Sequence, residues 1–456
     1  MAHRTFAHLG SALLCVVLLL SLFALNTTPT QALAPAWQPN TAYAVNQLVS
    51  YNSVEYKCIQ AHTSQVGWEP PNVPALWSRQ ATIATATPLR TATATPLRTA
   101  TATPLRTATP LPTATPTGPT PTPIPGGSLP KRLLVGYWHN FDNGSRVIRL
   151  RDVAAAYDVI NVSFAEPTTP GGSIMAFTPF NATTADFKSD IAYLQSRGKK
   201  VLISVGGANG AVDLSGSTAQ QNFANSMINI ISTYGFNGMD IDLEGTSLSL
   251  NAGDTDFRNP TSPKIVNLIG ATRTIANRFG TAFILTMAPE TAYVQGGMSA
   301  YGSIWGAYLP VIYGLRDKLT YLHVQHYNSG SMSALDGRSY AQGTADFHVA
   351  MAEMLLYGFP VANNPNNLFP ALRQEQVLIG LPASSNAAGG GYTPPATVQK
   401  ALDYLIKGRS FGGNYVLRNP GGYPNFRGLM TWSINWDAYS NFEFSSNHRP
   451  YLNNLN

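Results

Sequence analysis

Charge is scarce in this sequence. Acidic and basic residues make up 11% of its 456 positions, well under the roughly 25% of an ordinary soluble domain. Asn, Ser, Thr, Gly and Tyr must therefore cover much of the surface. The 29 basic residues outnumber the 23 acidic ones, yet they form no cluster: Arg4 stands near the N-terminus, and Arg90, Arg98 and Arg106 are spread along a repetitive tract. A nucleic-acid partner would call for basic residues gathered on one face. That class is excluded, and a neutral polysaccharide suits such a surface better.

Cysteine is nearly absent, with only Cys15 and Cys58. Cys15 falls in an N-terminal segment that reads as removable, which leaves one thiol and no internal disulfide. Stability must then come from packing. Cys58 lies in the strand-like run Glu55-Tyr56-Lys57-Cys58-Ile59 and reads as a small buried hydrophobe. Long apolar runs are missing too, except Leu13–Leu25. With Arg4 before it and Ala32 and Ala34 after it, that run has the layout of an export signal over residues 1–34. It is shorter than the ~20 residues a membrane anchor, the alternative, would need. A secreted, extracellular protein is expected, free of the membrane once the signal is cleaved.

What is present divides sharply. Residues 36–79 are dense in aromatics: Trp37, Tyr43, Tyr51, Tyr56, Trp68 and Trp77. From about Ala81 to Pro130 the chain turns into Thr-Ala-Thr-Ala-Thr-Pro-Leu-Arg repeats and then Pro/Thr alternation. Proline every few residues precludes helix, so residues 80–130 read as an extended, semi-rigid tether. Beyond Lys131, short apolar runs alternate with amphipathic stretches. Leu133–Trp138, Val159–Phe164, Lys200–Gly206, Gly238–Glu244, Phe283–Pro289, Leu319–Tyr327, Val377–Pro382 and Gly428–Trp432 read as buried strands. Phe223, Met227, Ile230, Ile231 and Tyr234 make a helical stripe, as do Ile265, Leu268, Ile269, Thr272, Ile275 and Ala276. Eight strands interleaved with helices predict a TIM (β/α)8 barrel over residues 131–456. A doubly wound open sheet is the competitor, but Gly136-Tyr137-Trp138 is not the glycine-rich phosphate turn such a sheet would carry after its first strand.

The run Asn237-Gly238-Met239-Asp240-Ile241-Asp242-Leu243-Glu244 is the most informative. Side chains alternate along a strand, so Asp240, Asp242 and Glu244 share the interior face while Met239, Ile241 and Leu243 face the helices. Three carboxyls on one buried face are costly unless they share protons. At least one should stay protonated near neutral pH. Glu244, last in the strand, falls at the C-terminal mouth where barrel active sites sit. A structural acidic cluster or a metal site is the competing reading; no histidine on that strand supports a metal, and no cofactor is expected.

These residues resemble the fourth-strand D-G-x-D-x-D-x-E pattern of the family 18 glycoside hydrolases, with Asn237 in place of the first aspartate. Lys200–Gly207 resembles the family's S-x-G-G motif, Met287 and Glu290 its fifth-strand pattern, and Gln325, Tyr327 and Asn328 its sixth; Trp432 stands where the family has a tryptophan. The resemblance implies a retaining, substrate-assisted hydrolysis of β-1,4 N-acetylglucosamine linkages. Glu244 would be the acid, Asp242 the group orienting the acetamido N–H, Asp240 its proton-sharing partner and Tyr327 the donor to the acetamido oxygen. It also implies substrate contacts from Trp432, Gln325, Asn328, Met287 and Tyr137, and places Asn237 in a supporting proton network. No segment between Pro382 and Gly428 is long enough for the added subdomain of some relatives, so an open groove and internal chain cleavage are expected.

Residues 36–79 resemble the chitin-binding modules of carbohydrate-binding families 5 and 12. Trp37, Tyr56 and Trp77 would pack the core, and Trp68, among Gly67, Glu69 and two prolines, would stack on sugar. The partners implied are chitin and chitooligosaccharides, bound by a monomer. Enzymes of the same fold acting on N-glycans, an inactive lectin and a cellulose-active protein are the alternatives; lectin-like relatives typically lose the acid, which is present here.

Overall fold

Strands whose two faces are both covered should be apolar throughout, and the eight runs are. In a computed structural model describing residues 34–39, 41–52, 54–59, 62–64, 69–70, 76–80 and 129–455, they form β1 (Leu133–His139), β2 (Val159–Pro167), β3 (Lys200–Gly206), β4 (Gly238–Asp242), β5 (Ile284–Met287), β6 (Tyr321–Gln325), β7 (Val377–Pro382) and β8 (Gly428–Trp432). Each is parallel to its neighbours, and β1 pairs with both β2 and β8, which closes the barrel. The open-sheet alternative is thereby overturned.

Helices α1 (Thr184–Ser196), α2 (Ala219–Tyr234), α3 (Pro263–Phe279), α4 (Leu309–Leu315), α5 (Ala345–Tyr357), α6 (Pro395–Lys407), α7 (Ile434–Tyr439) and α8 (Glu443–Asn454) surround it. The connection from β1 to β2 holds only a 3-10 turn, Leu150–Asp152. Phe223, Met227, Ile230, Ile231 and Tyr234 are all buried on α2, which stops at Gly235 with φ 75°, the left-handed conformation that glycine adopts without strain. Met239, Ile241 and Leu243 join them in the layer between barrel and helices. Inside the barrel, Leu133, Val159, Leu202, Ile284, Tyr321, Leu378 and Met430 fill the interior.

Two hairpins were not foreseen: Ser331–Ser333 with Ser339–Ala341, and Phe359–Val361 with Asn364–Phe369. Their strands are too short to show a two-residue period. The second turns through Ala362 and Asn363, both at positive φ, a turn geometry that Asn tolerates and Ala does not advertise.

The smaller unit carries a sheet of Leu48–Tyr51, Val54–Cys58 and Trp77–Arg79, and a two-stranded pair of Ala42–Tyr43 with His62–Thr63. Trp37, Tyr43, Tyr56, Cys58 and Trp77 form its core, as expected for Trp37, Tyr56, Trp77 and the Cys58 thiol. Trp68, the signal-like segment and nearly all of the Thr/Pro tract lie outside the described residues.

Burying a carboxylate requires donors for its lone pairs, and Glu353 on α5 has four. It is fully buried and accepts from Tyr415 Oη (2.7 Å), Tyr423 Oη (2.7 Å), Arg418 N (2.9 Å) and Asn419 N (3.2 Å). It thereby pins the irregular connection that leads from α6 into β8. An amide would turn an N–H toward the backbone N–H of Arg418 or Asn419, neither of which can accept. Glu353→Gln should cost about 2–4 kcal/mol, read as a lowered denaturation midpoint with an unchanged m-value.

Candidate active site

The β4 register dictates what surrounds its carboxyls. Asp240 lies level with Ser204 on β3 and Thr286 on β5, and both hydroxyls turn to it: Ser204 Oγ donates to Oδ2 at 2.7 Å and Thr286 Oγ1 to Oδ1 at 2.5 Å. Tyr137 Oη, from β1, donates to Oδ2 at 2.6 Å, and His323 Nε2, from β6, stands 3.2 Å from Oδ1. Burial would raise the Asp240 carboxyl, but His323, Thr286 and Tyr137 outweigh it and hold the group below its ordinary value. Asp240 is thus an anion sealed inside the barrel, with no exposed surface.

One level up, Asp242 is 3% exposed and has the opposite fate. Burial, then the charges of Glu244 and Asp240, push it well above the carboxylate range. Glu244 is part-exposed at the barrel mouth and is raised by burial, less strongly because Gln325 and Asp242 donate to it. Both carboxyls are thus raised, Asp242 the more strongly, as two acids crowded into one buried site must be. Gln325 Nε2 ties the two together, reaching Asp242 Oδ1 at 3.0 Å, Glu244 Oε1 at 2.8 Å and Ala288 O at 2.9 Å. Strand β4 ends at Asp242, but Glu244 keeps extended backbone (φ −113°, ψ 171°), which preserves the alternation to the last carboxyl. Tyr308 Oη brackets this tail, donating to Leu243 O and accepting from Leu243 N.

At the same end of the barrel lies an aromatic shelf. Trp432, at the end of β8, is part-exposed and stacks with Phe164 at 6.0 Å and 18°. Phe141 continues it, 6.5 Å from Phe164, and the buried His139 backs the indole. The double glycine of β3 makes room: a Cβ on Gly206 (φ 107°) would meet Asp242 O at 2.3 Å, and one on Gly207 (φ 72°) the Phe164 ring at 2.7 Å. Tyr327 is buried next to the carboxyls, and burial with the charges of Asp242 and Glu244 keeps its phenol protonated.

The structure thus brings together Asp240, Asp242, Glu244, Gln325, Tyr327 and Trp432. Other expected contacts need correction. Met287 is fully buried in the layer between barrel and helices, because Thr286, one residue earlier, occupies the inward position. Tyr137 is 1% exposed and lies against Phe164 and Trp432, its hydroxyl spent on Asp240. Asn328 (φ 52°) is exposed, and its Oδ1 accepts from Gly390 N at 3.1 Å, tying two loops together. Asn237 takes no part in a proton network: it precedes β4, and its Oδ1 accepts from Val201 N and Gln195 Nε2. Ser204, Thr286, His323, Phe164 and Phe141 were not singled out as site residues. Ser204 and Thr286 could have been found by aligning strand levels; His323, two residues before Gln325, shares its inward parity. Among the described residues no His/Cys/Asp/Glu group is arranged to hold a metal ion, and no helix is long and apolar enough to cross a membrane.

A closed (β/α)8 barrel with a row of acidic side chains and an aromatic shelf at its C-terminal mouth defines a carbohydrate-active barrel of the glycoside hydrolase type. Residues 133–409 match the model of glycosyl hydrolases family 18, and residues 36–78 that of carbohydrate-binding module family 5/12. The chain belongs to glycosyl hydrolase family 18 and carries an N-terminal family 5/12 module. It is 53% identical to Chitinase D of Niallia circulans and 52% identical to Chitinase Chi52 of Paenibacillus xylanexedens, in each case over 97% of this chain and 95% of the relative. A family GH18 chitinase from Chromobacterium violaceum of known crystal structure superposes with a TM-score of 0.66 at 37% identity, covering 92% of this chain and all of that one.

Glu290, just beyond β5, adds a titrating group. Burial, then the Glu244 charge, lift it from 4.5 to about 8. Between those values the folded protein keeps a proton that the unfolded chain has released, so stability falls as pH rises through the window. Glu290→Gln should flatten the fall in melting temperature between about pH 4.5 and about pH 8, removing a slope of up to about 1.4 kcal/mol per pH unit.

Proposed function

We propose that the protein is a secreted, endo-acting chitinase that cleaves β-1,4 N-acetylglucosamine linkages with retention of configuration. One observation carries this reading: Gln325 joins the part-exposed Glu244 to the sealed Asp242 at the same end of the barrel as the part-exposed Trp432. A sugar stacked on the indole would present its glycosidic oxygen to Glu244 and its acetamido group to Asp242 and Tyr327.

The proton the pair shares passes from Asp242 to Glu244, which gives it to the leaving oxygen as the C1–O bond breaks. The substrate's own acetamido oxygen attacks C1 from the other face, so the nucleophile is already in place and no second carboxylate is needed. Asp242 accepts the acetamido N–H and offsets the positive charge of the oxazolinium ion; Tyr327 Oη donates to the acetamido oxygen. Water then attacks C1 while Glu244, now a carboxylate, takes its proton, and the oxazolinium ring opens to the retained product. Asp240, anchored as an anion, biases the shared proton toward Asp242 and Glu244.

The α6 segment and irregular chain between β7 and β8 include no added sheet, which favours an open groove and internal cleavage. Residues 1–34 would be the export signal, and residues 80–130 the tether to a module that keeps the catalytic unit at the polymer surface. Monomeric action on insoluble chitin requires no metal or cofactor in this scheme.

On colloidal chitin the wild type should release a spread of soluble oligomers from the first minutes. Glu244→Gln should lower the release of reducing ends by at least about 1000-fold; dimer-dominated early products would refute internal cleavage, and an undiminished rate the assignment of the acid. In a pull-down with insoluble chitin, Trp68→Ala should abolish retention by the module while hydrolysis of short soluble oligomers stays at the wild-type rate.

A further inference from the structure

Directly behind the acetamido-binding side of the site lies a pair of histidines that the proposed chemistry does not use. His326 immediately precedes Tyr327, and His348 projects from α5; both are buried, and their rings are parallel within 1°. His326 Nδ1 and His348 Nδ1 are 3.2 Å apart, and His348 Nε2 is 2.9 Å from Thr393 Oγ1. Thr393 Oγ1 in turn lies 3.0 Å from Gly391 O. A carbonyl only accepts, so the Thr393 hydroxyl spends its proton on Gly391 and must accept from His348 Nε2–H. Burial keeps both imidazoles neutral at ordinary pH, with His348 lowered to about 3. His348 then has Nδ1 as an acceptor, and His326 donates through its own Nδ1–H. Every donor direction in the chain follows from that one carbonyl.

The chain closes on Tyr327. Gly391 (φ 95°) lies so near that a Cβ there would stand 2.6 Å from Tyr327 Cα and 2.8 Å from its Cβ. Asn328 N donates to Gly390 O at 3.1 Å, and Gly390 N donates to Asn328 Oδ1. Tyr327 is therefore held from both sides. The His326 ring ties its backbone to α5, and Gly391 packs closely against its Cα. A hydrogen-bonded path joins the two holds.

We propose that His326, His348 and Thr393 are positioning residues that fix the Tyr327 hydroxyl where it meets the acetamido oxygen of the substrate. This rests on the reading of Tyr327 as the acetamido donor. The path sets an angle and a depth, not a charge. A phenol displaced by a fraction of an ångström would still admit substrate but align it less well as the oxazolinium forms, so the loss should fall on kcat rather than KM.

The test is a double-mutant cycle on the full-length protein, read by steady-state hydrolysis of a soluble chitooligosaccharide. Thr393→Val keeps the shape and removes the hydroxyl; it should lower kcat about tenfold with KM within about twofold, and Thr393→Ser should restore at least about half of kcat. In a Tyr327→Phe background, Thr393→Val should change kcat by less than about twofold, because the hydroxyl it positions is already gone. A merely structural role would give the same fold-loss in both backgrounds, and that result overturns the proposal. If Thr393→Val no longer melts cooperatively, His348→Gln opens the path at its other joint and is read in the same cycle. Activity lost in Glu244→Gln and Tyr327→Phe but untouched by Thr393→Val or His348→Gln would overturn the positioning path and leave the reading of the site standing. A Tyr327→Phe protein as fast as wild type would overturn both.

Discussion

The fully buried Asp240 carboxylate is the constraint around which the barrel interior is arranged. An unpaired charge at that depth would cost several kcal/mol, so donors must come from other strands, and they do: Tyr137 from β1, Ser204 from β3 and Thr286 from β5, with His323 of β6 close by. These groups meet only when the barrel closes. The same closure that makes the fold also keeps Asp240 ionised, and its fixed charge then raises the next carboxyl on the strand. Two aspartates two residues apart are thus driven in opposite directions, a separation that assigns different roles to like groups.

The polarity of the interior changes along the barrel axis. Leu133, Val159, Leu202 and Ile284 are among its apolar members, while hydroxyls, carboxyls and the Gln325 amide gather around the C-terminal half of β4. Water reaches only the last acid in the row. Gln325 bonds both Asp242 and Glu244, so its amide fixes the two carboxyls relative to each other. Glycine at positions 206 and 207 lets β3 close against Asp242 and lets Phe164 extend the indole shelf. The site is therefore assembled mainly from strand ends, whose positions the hydrogen-bond ladder fixes, and less from loops.

Sites on strand ends still need loops to complete them. Tyr327 lies just past β6, and its surroundings come from α5 and the β7–α6 connection. Glu353, on the same helix as His348, holds the segment that leads into β8 and Trp432. One helix thus supports both the Tyr327 segment and the connection into β8.

All eight strands, the helical stripes on α2 and α3, and the alternation that places Asp240, Asp242 and Glu244 on one face could be read from the sequence. These are local properties: burial on both faces demands apolar runs, and the pleat has a fixed period of two. Met287, Tyr137, Asn328 and Asn237 were assigned by motif, and each has another place. Which face of β5 looks inward, and which hydroxyls stand level with a carboxylate, depends on the register between strands far apart in the chain. That register is set when the barrel closes. The sequence by itself determined which acid stands last in the row; the tertiary structure alone decided which of its neighbours keep their protons, because burial and the distance to other charges exist only in the folded barrel.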